Sequence, residues 1–207
     1  MKKDWSIGLM TGTVNDGNID VAAIRTDGEK IFEFGPYHLY PYENNNIRKV
    51  IFDTYEEAKN WDFKGAEPEI FSKVQELITL EQSKAVKKFL EKYNFKKQNI
   101  YSVGFHGQTI LHRPPNGSTK VGKTKQLGDG KIMSRFLDLP VVYDFRSNDV
   151  ANGGQGAPLA PIYHLALSKI LNENSLIFLN IGGISNLTFI DFDCDLIAFD
   201  TGPGNAP

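Results

Sequence analysis

Residues 5–34 read WSIGLMTGTVNDGNIDVAAIRTDGEKIFEF, and residues 176–202 read LIFLNIGGISNLTFIDFDCDLIAFDTG. The first stretch predicts three strands, Trp5–Met10, Ile19–Thr26 and Lys30–Phe34, because each is a short apolar or alternating run. Asp27-Gly28 is a hairpin signal, since both residues tolerate positive φ. The link between the first two strands, residues 11–18, is longer and more polar than a tight turn requires. The second stretch repeats the theme: Leu176–Ile181, a Gly182-Gly183 turn, Ile184–Ile190, then Leu196–Phe199. A renewed strand-glycine-strand start hints at an internal structural repeat.

Between the two stretches the pattern alternates. A helix is predicted from about Pro68 to Tyr93, where Ile70, Val74, Leu77 and Ile78 share a face that Ala85, Val86, Phe89 and Leu90 continue. A strand over Ile100–Phe105 follows, then a short helix Lys131–Leu137, a strand Val141–Phe145 and a helix Leu159–Leu171. Residues 40–67, with Asn44-Asn45-Asn46, fit no element. This order predicts an α/β fold. No helix follows the last strands to cover them, so the sequence reads as the front part of a longer chain.

The 207 residues carry 23 Lys+Arg and 25 Asp+Glu, a formal net charge of −2. That excludes a strongly basic nucleic-acid binder and a highly charged disordered chain. Hydrophobic residues at 41% and aromatics at 12% suffice for a real core. The single cysteine, Cys194, excludes an internal disulfide framework and a cysteine-ligated zinc cluster. No apolar segment follows Lys2-Lys3, and no apolar run approaches the ~20 residues of a membrane span. A cytoplasmic protein is expected.

Five segments carry candidate chemistry. In Thr11-Gly12-Thr13-Val14-Asn15-Asp16-Gly17-Asn18, glycines let backbone N–H groups approach an anion, and the threonine hydroxyls are potential phosphate donors. A plain long hairpin explains the same residues. His106-Gly107-Gln108-Thr109 leaves a strand end, where α/β folds bind ligands, although a histidine there often only satisfies loop carbonyls. Arg146 offers a planar fork for a carboxylate or phosphate, with Asp149 and Gln155 nearby in a glycine-rich segment. Pairing of Asp144 with Arg146 would make the arginine structural. Gly182-Gly183 forms a second strand-glycine-strand turn. Asp200, at a strand end before Gly202-Pro203-Gly204, is a general-base candidate, with helix capping as its plain alternative.

Together and in this order, GLMTGTVNDGNID, VGFHGQTILHRP, QLGDGKIMSRFLDLPVVYDFRSNDVANGGQGAPLAP, FLNIGGISNLT and FDTGPGNAP resemble the anhydro-N-acetylmuramic acid kinase family. Residues 35–98 carry none of this signature. The resemblance implies an RNase-H-like, actin/hexokinase-type ATPase fold with ATP between two domains. It places a first domain at residues 1–160, and a linking helix with the beginning of a second at 161–207. It implies ATP- and water-dependent conversion of 1,6-anhydro-N-acetylmuramic acid to N-acetylmuramic acid 6-phosphate in peptidoglycan recycling, with Mg²⁺ neutralising charge.

By this resemblance Thr11, Gly12, Thr13, Val14, Asn15, Asp16, Gly17 and Asn18 form the first ATP-phosphate loop, and Gly182 and Gly183 the second. Asp200 matches the base that activates water. His106, Arg146, Asp149 and Gln155 fall on the sugar side. The implied partner is a small sugar, with no nucleic acid or membrane, and a homodimer is compatible. Val14-Asn15 departs from the serine-leucine usual in the family, and the chain covers little over half of a typical member. Two alternatives stand beside the kinase: a catalytically inactive sugar-binding or regulatory fragment, and a superfamily member acting on another sugar.

Overall fold

A computed structural model describes residues 4–12, 16–116, 121–173 and 175–204 of the chain. In chain order the strands are β1 (Trp5–Met10), β2 (Asn18–Thr26), β3 (Ile31–Pro41), β4 (Ile100–Phe105), β5 (Gln108–Arg113), β6 (Lys123–Leu127), β7 (Val141–Tyr143), β8 (Leu176–Ile181), β9 (Ile184–Ile190) and β10 (Leu196–Pro203). The helices are α1 (Ile47–Trp61), α2 (Glu69–Lys92), α3 (Gly130–Leu137), α4 (Ser147–Ala151) and α5 (Pro161–Leu171). The result is a mixed α/β fold.

β1, β2, β3, β4 and β7 form one sheet in the order β3-β2-β1-β4-β7. β4 runs parallel to both β1 and β7, while β2 is antiparallel to both its neighbours. The parallel strands β1, β4 and β7 therefore all end on the same sheet edge. One face of the sheet is built by alternation. Ile7 and Leu9, Ile19, Val21 and Ala23, and Val103 and Phe105 are buried in the core with Phe71, Val74, Ile78, Val86 and Phe89 of α2.

Sequence and structure agree on α2, whose buried residues recur three and four apart and whose Pro68 pre-sets the entry. They differ at residues 40–67, where α1 forms. Its buried stripe is Ile47, Ile51, Thr54 and Ala58, so only two of four positions announce themselves as apolar. β3 runs past Gly35-Pro36 to Pro41, which an edge strand tolerates because its outer N–H groups need no partner. The predicted strand Val141–Phe145 ends at Tyr143, because Asp144 turns left-handed at φ 55°.

The segment before α1 is fixed by a buried carboxylate. Glu81 Oε2 accepts from the backbone N–H groups of Glu43 (2.7 Å) and Asn44 (3.2 Å), and its Oε1 accepts from Lys84 Nζ at 3.0 Å. Truncation leaves two donors without their acceptor. Glu81→Ala is expected to cost about 2–3 kcal/mol in urea unfolding; a loss within about 0.5 kcal/mol, the range of ordinary surface changes, contradicts this.

β8, β9 and β10 form a separate antiparallel meander in the order β10-β9-β8. The register puts Ile177 and Leu179, Phe189 and Leu187, and Ile197 and Phe199 on one face. Ile177, Leu179, Ile181, Ile197 and Phe199 are all exposed. The opposite face meets α5, where His164 stacks on Phe178 with ring centroids 4.6 Å apart and bonds Thr188 Oγ1 at 2.8 Å. Residues 1–207 by themselves are expected to self-associate through the bare face. Sedimentation velocity should show mass rising with concentration, and Leu179→Asp with Ile197→Asp should suppress it. A concentration-independent monomer contradicts the expectation.

Candidate active site

The loops that leave β1, β4 and β7 meet at one sheet edge. The first begins with Thr11, which is buried, and its hydroxyl donates to Gln108 Oε1 at 2.9 Å. Gln108 in turn donates to the Tyr55 hydroxyl on α1. Tyr42 lies against Thr11 and Gln82, and burial pushes its phenol up to about 12. Thus the Thr11 side chain belongs to a buried polar network. Asp16 Oδ1 accepts from Asn18 N at 2.9 Å, Gly17 has φ +93°, and its carbonyl accepts from Tyr42 N at 3.0 Å. Gly12, Asp16, Gly17 and Asn18 are described; Thr13, Val14 and Asn15 lie outside the described residues.

Arg146, just before α4, is the centre of the second group. One of its terminal nitrogens donates to Gly156 O. The other lies 2.9 Å from His106 Nε2. Asp144 accepts from Ser147 Oγ at 2.6 Å, so the carboxylate next to the arginine in sequence is engaged with α4. Asp149 Oδ2 accepts from Gly156 N at 2.7 Å. A Cβ on Gly154 would lie 2.2 Å from that carboxylate and would force it to shift. Gln155 is exposed, and its amide donates to Pro115 O at 3.3 Å.

The third group comes from the meander. Asp200 lies inside β10, at a register shift between Asp200 and Gly202, because the strand continues to Pro203 rather than ending at Phe199. Its charge acts on both Arg146 and His112, raising each. Burial outweighs it, so both groups end below their usual values. Burial first, and then the Arg146 charge, also hold His106 low. The Gly182-Gly183 turn packs against Gly204, whose N–H donates to Gly183 O at 3.1 Å. A Cβ on Gly204 would lie 1.8 Å from Gly182 O. Nearby, Thr201 Oγ1 donates to Ser185 O at 3.1 Å.

A protein-family profile, anhydro-N-acetylmuramic acid kinase, matches residues 4–206. The chain belongs to the anhydro-N-acetylmuramic acid kinase family. It is 51% identical to an anhydro-N-acetylmuramic acid kinase of Rhizobium rhizogenes, over all of this chain and 56% of that one. It is 50% identical to one of Brucella anthropi, again over all of this chain and 56% of that one. The chain thus spans a little over half the length of these curated relatives. A solved reductive activator for a corrinoid, iron-sulfur protein aligns over 98% of this chain and 32% of its own at 10% identity, with a TM-score of 0.49, too low to bear on the fold.

Within this kinase-family chain, His112 and Gln126, which sequence reasoning passed over, stand beside the predicted residues. His112 bonds Gln155 O and Thr124. Gln126 donates to His106 O at 3.1 Å and accepts from Arg146 N at 3.4 Å. Thr109, opposite Gln126 in the β5–β6 hairpin, has a buried hydroxyl with no partner among the described residues. The hairpin itself was the missing signal: Gln108–Arg113 and Lys123–Leu127 are too polar to read as strands.

Proposed function

We propose that this chain carries the sugar site, the phosphate loops and the catalytic base of a kinase that opens 1,6-anhydro-N-acetylmuramic acid and forms N-acetylmuramic acid 6-phosphate in peptidoglycan recycling. The observation that carries the reading is the cluster in which Arg146 bonds His106 and Gly156, and His112 bonds Gln155, at the edge where β1, β4 and β7 end. Asp200 takes a proton from water as the water oxygen attacks the anomeric carbon. The bond from that carbon to the bridging oxygen breaks, and the freed O6 attacks the γ-phosphorus of ATP as its bond to the β,γ-bridging oxygen breaks and ADP leaves. Arg146, with Asp149, Gln155 and His106 around it, binds the sugar.

The glycines fit a phosphate ligand. Gly17 has a positive φ, and Gly182 and Gly204 approach each other more closely than any side chain allows. Gly12, Asp16, Gly17 and Asn18 with the Gly182-Gly183 turn would therefore hold the phosphates of ATP, with Thr13, Val14 and Asn15 between them in sequence. Mg²⁺ typically rests on one or two carboxylates plus substrate phosphates, and Asp16 is the carboxylate that the first loop would offer it. Bound there, the ion would neutralise developing phosphoryl charge.

The β3-β2-β1-β4-β7 order, with β2 alone reversed, supports an RNase-H-like first domain over residues 1–160. The β8–β10 meander repeats the antiparallel β1–β3 meander, which supports residues 161–207 as a linking helix and the start of a second such domain in an actin/hexokinase-type fold. Among the described residues no helix is long and apolar enough to cross a membrane. We place the kinase in the cytoplasm, acting on a small sugar without nucleic acid, with a homodimer as the assembly to test. No observation favours the inactive fragment.

The deciding experiment supplies the intact enzyme with the anhydro sugar, ATP and ¹⁸O-labelled water. Mass spectrometry should find one ¹⁸O at the anomeric hydroxyl and the phosphate on O6. Phosphorylation without ring opening, or no reaction, rejects the proposal.

A further inference from the structure

We propose that His106 and His112 are positioning residues, two rings of opposite tautomer that together hold Arg146 and the Gln155–Gly156 segment in place. The inference rests on the sugar-site reading for its purpose, and on hydrogen-bond chemistry for its content. A guanidinium can only donate, so His106 Nε2, 2.9 Å from Arg146, must accept. A carbonyl can only accept, so His106 Nδ1, 2.9 Å from Gly107 O, must carry the proton. The partners of His112 demand the reverse. Its Nε2 donates to Gln155 O at 3.0 Å, leaving Nδ1 to accept from the Thr124 hydroxyl at 3.1 Å.

The two rings approach one segment from two sides. His112 grips Gln155 O directly, and His106 acts through Arg146, which grips Gly156 O. Gly156 has φ +67°, and a Cβ there would lie 2.5 Å from Val150 Cγ2 and 3.1 Å from His112 Cε1. A side chain at position 156 would therefore disturb the segment that both rings hold. Among the described residues Arg146 is held by two neutral acceptors and not by a carboxylate, so its charge is oriented without being cancelled by direct contact. Those acceptors engage two of its five N–H donors. A second positive charge on His106 would abolish the acceptor and repel the arginine.

Two measurements test this independently. Long-range ¹⁵N–¹H spectra of the ligand-free protein should show His106 as the Nδ1–H tautomer and His112 as the Nε2–H tautomer. Arg146→Ala should leave the Nδ1 proton in place on Gly107 O and shift the His106 Nε2 resonance, which loses its donor. A protonated His106, or both rings in the same tautomer, overturns the proposal whatever the substrate is. In the intact enzyme, His106→Leu should lower kcat/KM for the sugar by about 10²-fold, the scale of a 1 Å misplacement. His106→Gln, which returns an acceptor near the Nε2 position, should recover most of it. The double variant with Arg146→Ala should be no worse than Arg146→Ala alone. Additive losses would make His106 an independent sugar ligand and overturn the proposal. If the unmodified enzyme does not phosphorylate the anhydro sugar, the kinase reading fails, and the spectra still decide the tautomers.

Discussion

Asp200→Asn is expected to cut turnover of the anhydro sugar by about 10²–10⁴-fold while both substrates still bind. Water at neutral pH is a poor nucleophile, and a carboxylate that accepts its proton during attack supplies a gain of this size. Asparagine keeps the shape and removes the basicity, so the loss isolates proton transfer. Asp16 is the rival. It too lies in a glycine-rich loop, but its charge acts on Asp20, and one of its oxygens is committed to Asn18 N. The charge of Asp200 acts instead on Arg146, assigned to the sugar, and on His112, which holds the Gln155 carbonyl. Single-turnover kinetics with separately measured substrate affinities will decide. Near-normal turnover in Asp200→Asn, with Asp16→Asn inactive, transfers the role to Asp16.

The parts of the fold legible in the sequence are those where one physical signal dominates. α2 shows because Val74, Ile78, Val86 and Phe89 sit on a helical period, and β1 and β2 show because apolar residues alternate. α1 stayed hidden because tertiary packing buries Thr54 and Ala58, which carry little apolar signal. The β5–β6 hairpin stayed hidden because its strands hold His112, Arg113, Lys123, Thr124 and Gln126, and backbone pairing plus loop contacts stabilise it instead.

The site was legible as a set of segments and not as a set of partners. Asp144 stands two residues from Arg146 and was the natural pairing choice. Yet at φ 55° it turns toward Ser147, and the arginine reaches across the fold to His106. Thr11 was expected as a phosphate donor from its loop position, while its hydroxyl is spent on Gln108, some 97 positions away in sequence. Long-range hydrogen bonds of this kind leave no local pattern to read.

Arg146→Ala is expected to weaken sugar binding by about 10–150-fold, the equivalent of the ~1.5–3 kcal/mol carried by a hydrogen bond to a charged group. ATP affinity should hold, because the phosphate loops begin at Thr11 and Gly182 and not on α4. Arg146→Lys should rescue little. An ammonium on a flexible stem is a point charge, whereas the guanidinium spans from His106 Nε2 to Gly156 O and keeps its remaining donors in a fixed plane. Asp149→Ala should behave differently from either. Its carboxylate holds Gly156 N, so its loss loosens the segment and raises KM by a smaller factor, with Arg146 still bonded to His106. Isothermal titration with each substrate separates these outcomes. If ATP affinity collapses in Arg146→Ala while sugar affinity holds, Arg146 belongs to the nucleotide side, and the sugar must be sought on the other side of Asp200.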